Sequence, residues 1–310
     1  MDDTIGIDVS KDSLDAYRLS DGARARVPNT PAGLRRLGRW IGAERPGRVV
    51  YEATGRYHRP LEAAFSGHLP LLRVNPYQAR RFADAEGVRA KSDRIDAAML
   101  ARFGAATARR PDLPVDPDTH ALKELQTART ALVRDRTRLL NRLEALTHAL
   151  LRRQLRARLA QADRQLARLA LEIDRLLAAR ADRARARDIL VSIPGIGAIA
   201  ARAILVNCPE IGSLGAKQAA ALAGLAPMTR QSGRWQGRAR IEGGRKPLRD
   251  ALYMPALVAM RHNPDMVRTY ARLRDAGKPH RLALTAIMRK LLQLANALVA
   301  QDRPWSPTRP

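Results

Sequence analysis

Four carboxylates near the start of the chain are spaced as a metal site needs them. Asp8 closes the apolar run of IGIDVSK and Glu52 closes that of VVYEATG, so two buried strands would bring two acids to one edge of a sheet. Asp93 and Asp96, in KSDRIDA, stand three residues apart at the start of a helix, which points both side chains to one face. Like charges a few ångströms apart raise one another's pKa unless a cation joins them. Divalent metal resolves that conflict, and an all-oxygen set suits Mg²⁺ or Mn²⁺. A pair of such ions about 3.5 to 4 Å apart can activate a nucleophile and stabilise the leaving oxygen in phosphodiester transfer. Taken singly, each acid also has a plain structural reading as a strand end or a favourable charge at a helix N-terminus.

A second group of candidates lies far along the chain. SIPGIGAIAARAIL, from Ser192 to Leu205, has the Pro-Gly-x-Gly turn of a helix-hairpin-helix element. Gly195 and Gly197 would let backbone N–H groups approach a phosphate without reading sequence. Between Leu222 and Leu257, Arg230, Arg234, Arg238, Arg240, Arg245, Lys246 and Arg249 surround Gly-rich turns with Trp235 among them, a phosphate-binding composition. Ser232, before Gly233, reads on its own as a turn residue.

Charge supports a polyanionic partner. The 310 residues carry 56 Lys and Arg against 30 Asp and Glu, a formal +26, and a binder of nucleic acid offsets such self-repulsion by releasing counterions. The excess is uneven: 20 basic and 13 acidic side chains up to residue 110, then 36 and 17 beyond it. The single Cys208 cannot by itself form an internal disulfide or a zinc site, and it reads as a small buried side chain. The acidic start is unlike a signal peptide, and no uninterrupted apolar run approaches the roughly 20 residues of a membrane span, so the expected compartment is the cytoplasm.

The elements that must position these residues are legible as patterns. Strands are expected at Thr4 to Val9, Leu14 to Leu19, Ala23 to Val27, Arg48 to Tyr51 and Leu69 to Val74. Helices are expected at Pro31 to Ile41 with Thr30 as N-cap, about Tyr57 to Phe65, Tyr77 to Ala85, and Asp93 to Phe103 with Ser92 as N-cap. This is a mixed sheet with helices on its faces. Prolines 111, 114 and 117 mark a linker at 111–118 after a first domain of 1–110. Thr119 to Ile193 contains neither Gly nor Pro, and leucines at 125, 132, 139 and 146, then 159 and 166, describe a coiled-coil arm at 119–186 whose register slips between Leu150 and Leu159. The seam fits an antiparallel hairpin or a dimerisation arm equally. A mostly helical domain at 187–302, ending in a helix from about Arg281 to Val299, and a poorly ordered tail at 303–310 complete the chain. His58 and His262 read as surface or packing residues.

The order GIDVSK, EATG, VNPYQARRFA and KSDRIDA strongly resembles the RuvC-like, RNase H-fold domain of the DEDD transposases of insertion sequence family one hundred and ten, over close to the full length. That resemblance implies an α/β plus α chain: an RNase H-like N-terminal domain, a coiled-coil arm, and a C-terminal transposase domain. It implies Mg²⁺, possible substitution by Mn²⁺, on Asp8, Glu52, Asp93 and Asp96, and a nucleophilic role for Ser232 in the matching Ser-Gly context. It implies DNA at element ends and target, a guide RNA encoded by the element, and a dimer that assembles into a tetramer in synapsis. Ser92 stands where the family usually has Thr. The alternatives are a Holliday-junction resolvase that activates water on the four acids, with Ser232 a mere turn residue, and an inactive nucleic-acid-binding protein.

Overall fold

The structure is a computed structural model that describes residues 3–42, 45–53, 55–87, 93–107, 109–112, 117–229, 231–232, 235–237 and 239–307; for residues 93–95, 117, 235 and 236 it describes the backbone. Ser92 therefore lies outside the described residues. The chain divides into two compact units, Met1–Asp116 and Pro117–Pro310.

The first unit is a mixed α/β layer structure. Strands β1 (Thr4–Val9), β2 (Ser13–Arg18) and β3 (Arg24–Pro28) form an antiparallel meander, and β4 (Arg48–Glu52) and β5 (Leu71–Val74) add in parallel to β1, giving the order β3-β2-β1-β4-β5. Alternation along the strands separates two cores. Ile5, Ile7, Val9, Leu14 and Tyr51 pack with Leu34 and Leu37 of α1 (Pro31–Ile41) and Leu61 of α2 (Arg59–Phe65). On the other face, Val50, Leu72 and Val74 pack with Ala79 and Ala83 of α3 (Pro76–Ala85) and with Met99, Leu100 and Phe103 of α4 (Asp93–Ala106). Thr30 caps α1 by accepting from Gly33 N–H at 3.2 Å, as its position before Pro31 predicts.

Helix α4 is held against the sheet at two glycines and an arginine. A Cβ on Gly6 of β1 would lie 2.0 Å from the Ala97 carbonyl oxygen and 2.5 Å from the Ala101 nitrogen; one on Gly104 would lie 2.3 Å from Val50 Cγ2. Only hydrogen at these positions permits the approach. Arg48, at the start of β4, donates to the carbonyls of Gly104 and Thr107, which satisfies acceptors left open at the helix C-terminus.

The second unit is mostly helical. Helices α5 (Pro117–Ala145) and α6 (Ala149–Ala178) form an antiparallel hairpin within one chain, closed by Leu139, Leu155 and Leu159 and by an Arg136–Asp163 ion pair at 2.6 Å. The turn lies at residues 146–148, a few residues before the slip expected at 150–159. Arg152, from the basic cluster there, donates to the Leu143 and Leu146 carbonyls and caps α5. Leu122, Ile173 and Leu177 carry the base of the hairpin into the core of the helices that follow, α7 (Ala181–Ser192), α8 (Ala198–Asn207), α9 (Ala216–Leu222), α10 (Lys246–His262), α11 (Pro264–Asp275) and α12 (His280–Ala300). Among the described residues, α12 alone is long and apolar enough to cross a bilayer; half of that stretch is buried, and Leu284, Ile287, Leu291 and Leu298 form the middle of this core. In the tail, expected to be poorly ordered, Trp305 is the anchored residue among those described. Trp305 packs on the core and donates its backbone N–H to Ser192 Oγ at 2.8 Å.

Candidate active site

Strand register decides which acids meet. The parallel β1–β4 ladder pairs Thr4 with Arg48 and Ile7 with Tyr51, so Asp8 and Glu52 occupy the next matched positions on neighbouring strands, roughly 4.8 Å apart in the sheet. Both are half-buried, and both lie on the face covered by α4, which they share with Gly6 and Val50. Because Ala97 and Ala101 sit over Gly6 while Gly104 sits over Thr4 and Val50, α4 runs antiparallel to β1. Its first turn, with Asp93 and the half-buried Asp96, therefore begins at the strand end that carries Asp8. The side chain of Asp93 lies outside the described residues.

A fifth acid joins this row. In the antiparallel β1–β2 ladder Asp15 is the direct partner of Asp8, so its side chain emerges on the same face. Asp15 is buried and forms an ion pair with its own cross-strand partner, Arg26, at 3.6 Å, while Arg26 also donates to Ser13 Oγ at 3.1 Å. Asp15 is not among the acids expected from the sequence. The sequence marks it only as a carboxylate at an inward position of the SLDAYR strand, which does not say which acid it faces.

The donor set fits a hard divalent cation. The three described members of the quartet offer carboxylate oxygens only, on a sheet edge and a helix start that the backbone already holds in place. Among the described residues, no group of three His, Cys, Asp or Glu side chains is placed to hold a metal ion.

The opposite face of β4 carries a buried polar cluster. Tyr51, next to Glu52 in β4, points to that face and donates its hydroxyl to Glu62 of α2; His58 Nε2 lies 3.8 Å and Arg73 3.5 Å from the same carboxylate oxygen. Burial, then the hydrogen bond to Glu62, push the Tyr51 phenol far above its ordinary range. His58, expected on the surface or in packing, is a buried member of this cluster.

Ser232 stands at the tip of a β-hairpin in a region whose composition suggested helices and turns. Strands β6 (Pro227–Met228) and β9 (Arg240–Ile241) pair at the base, and β7 (Gln231–Ser232) and β8 (Trp235–Gln236) pair at the tip, with Ser232 opposite Trp235. Ser232 is exposed. Arg230, Arg234 and Arg238 lie outside the described residues.

The base of that hairpin is clamped by cations that the sequence suggested for phosphate. Arg245 makes a bidentate pair with Glu210, 2.7 Å for each bond, and donates to the Asn207 carbonyl at 3.0 Å. Arg249 donates to the Ala223 and Gly243 carbonyls at 3.2 and 2.8 Å, where the backbone passes so close that a Cβ on Gly224 would lie 2.1 Å from the Gly243 oxygen. Lys246 pairs with Asp250 at 2.5 Å and Arg240 with Glu242 at 3.1 Å, both on the surface. Gly195 has φ +107, and a Cβ there would meet Pro255 and Ala259 of α10 within 3 Å, so packing requires this glycine. Gly197 is exposed, with open space around it, at the N-cap of α8, whose first turn holds no acid and whose cap makes no side-chain bond.

Comparison with known proteins addresses both regions at once. A DEDD transposase family, described as "Transposase", matches residues 5–152, and one described as "Transposase IS116/IS110/IS902 family" matches residues 187–271. The pilin gene-inverting proteins of Moraxella bovis and Moraxella lacunata are each 31% identical to the chain over 97% of its length and 97% of theirs. The chain belongs to the IS110 family of transposases. An insertion element IS900 protein of 42 kDa from Mycobacterium paratuberculosis, itself uncharacterized, is 32% identical over 44% of this transposase and 35% of its own length. Membership makes the chain a DNA-acting transposase or recombinase of insertion-sequence type, from a family that generally uses divalent metal ions.

Proposed function

We propose that the chain is a site-specific recombinase of a mobile element that cleaves and exchanges DNA strands in Mg²⁺-dependent steps through a covalent Ser232–DNA linkage. The observation that carries this reading is the matched register of Asp8 and Glu52 beneath a helix start bearing Asp93 and Asp96. The strand order of the first unit supports an RNase H-like, RuvC-like domain. Asp8, Glu52, Asp93 and Asp96 would hold the ion. Bound there, it would supply Lewis-acid stabilisation of charge developing on the phosphate.

Ser232 Oγ attacks phosphorus and a deoxyribose oxygen leaves, so the phosphoester bond is conserved as phosphoserine and the strand can be rejoined by the reverse attack. The exposed hairpin tip makes Ser232 accessible to DNA, and the clamp at Arg245 and Arg249 gives the tip a fixed base. Arg230, Arg234, Arg238, Arg240 and Lys246 would neutralise phosphate charge around it. Gly197, at the uncapped start of α8, offers backbone N–H groups to a further phosphate. A guide RNA encoded by the element would direct the enzyme to target and donor. Leucines 150, 151 and 171, left exposed on the arm hairpin, support assembly with further copies into a dimer and a synaptic tetramer.

The test is the covalent adduct. With element-end DNA and Mg²⁺, the wild-type protein should form an adduct stable to denaturation, and Ser232→Ala should abolish it while DNA binding persists. An undiminished adduct in Ser232→Ala overturns the nucleophile assignment, and strand exchange that continues in EDTA overturns the metal assignment. Free DNA ends without adduct would point to a nuclease of the resolvase type.

A further inference from the structure

The arm hairpin and the helical core of the second unit enclose a groove whose arm side none of these assignments uses. It has a volume of about 940 Å³ and lies between α5, α8 and α10. One wall is α5, which brings Lys123, Arg129 and Arg134 to the groove. The opposite side carries Ile199 and Met254, which are 60% and 62% exposed despite being large and apolar. The groove's acid, Asp250, is already tied to Lys246.

Arg129 is the informative side chain. Its Nε is buried and has no hydrogen-bond partner among the described residues. Burial, then the nearby Arg202, hold its guanidinium below the usual range, whereas Arg202 has Asp174 at 2.9 Å. An anion delivered to the groove would relieve both costs. Cations on one wall and exposed apolar side chains on the other match a strand whose phosphates face one way and whose unstacked bases face the other. A duplex, which presents sugar and phosphate on its outside, leaves Ile199 and Met254 without an apolar partner.

We propose that this groove binds a single strand of nucleic acid, with phosphates on Lys123, Arg129 and Arg134 and bases against Ile199 and Met254. The inference rests on the reading of the chain as a nucleic-acid-processing enzyme and adds a strand-binding site formed partly by the arm. The shared chemistry fits guide RNA or a displaced DNA strand, and the assay separates them.

The experiment measures anisotropy of labelled oligo(U), oligo(dT) and a blunt DNA duplex on the full-length protein across a salt series. In Arg129→Gln/Arg134→Gln the slope of log K against log salt for the preferred single strand should fall in magnitude by about 1.4, about 0.7 for each lost phosphate contact. Met254→Glu, at a position 62% exposed, should weaken the same strand on the order of tenfold and serves if the double variant fails to fold. Preference for oligo(U) assigns the groove to RNA, and preference for oligo(dT) assigns it to a displaced strand. Unchanged slope and affinity in both variants, or an equal loss for the duplex, overturns the proposal. Wild-type protein that binds none of the three would instead indict the nucleic-acid reading itself, and neither variant touches Ser232 or the four acids.

Discussion

Gly6→Ala tests whether the approach of α4 to β1 builds the acidic row. The added Cβ would lie 2.0 Å from the Ala97 carbonyl oxygen, and both neighbours it meets are backbone atoms that cannot rotate away. Restoring an ordinary contact of about 3.4 Å requires α4 to move outward by roughly 1.4 Å. Overpacking of this kind costs about 1–3 kcal/mol, or roughly 3–6 °C of melting temperature per kcal/mol for a unit of this size. Asp96 immediately precedes Ala97, so the helix start carrying Asp93 and Asp96 would shift with it. A displacement near 1 Å in a reacting constellation costs on the order of 100-fold in rate. The assay is paired: thermal unfolding of the full chain, and Mn²⁺ affinity with strand exchange measured well below the melting temperature. The expected result is a lower melting temperature, weaker Mn²⁺ binding and a loss of exchange larger than unfolding accounts for. Wild-type stability together with wild-type Mn²⁺ affinity would refute the reasoning, because it would mean that α4 does not need glycine at position 6.

Two further outcomes concern the second unit. Burial raises the Glu210 carboxyl, but the Arg245 hydrogen bond and charge outweigh it and hold the group below its ordinary 4.5. A depressed folded pKa contributes stability that is present above the unfolded value and lost as pH falls through the folded one. Glu210→Gln should therefore cost about 1 kcal/mol near neutral pH, discounted because the pair is a third exposed, and the gap from wild type should close as denaturation curves are taken down through and below the ordinary carboxylate range. A gap that does not narrow in acid would remove the ion pair from the stability of the hairpin base. Cys208 is fully buried, and burial, then Glu210, push its thiol up to about 11. Iodoacetamide at pH 8 should leave it unmodified in the native protein and alkylate it at the rate of unfolding; rapid native labelling would contradict that burial.

The site was partly legible in the chain. The ends of apolar runs locate Asp8 and Glu52, and helix-start chemistry locates Asp93 and Asp96, because hydrophobic alternation and spacing are local properties. Asp15 was not legible as a member of the row, since only the pairing of Asp8 with Asp15 brings it there. The cations divided in a way that composition cannot show. Arg245 and Arg249 have the same sequence surroundings as Lys246, yet they are engaged by Glu210 and by backbone carbonyls that arrive from elsewhere in the chain.

By itself the sequence located the strands and helices of the first unit, the long helices of the arm, the excess of positive charge beyond residue 110, and the four acids as candidates. Each depends on residue type and near-neighbour spacing. Tertiary structure decided the rest. Strand register set which acids share a face, glycine contacts set where α4 begins over β1, and folding of α5 back onto α6 placed the arm's leucines against each other within one chain. Heptad leucines specify a seam without specifying what fills it, and a carboxylate at a strand end acquires neighbours only when the sheet's hydrogen bonds choose its register.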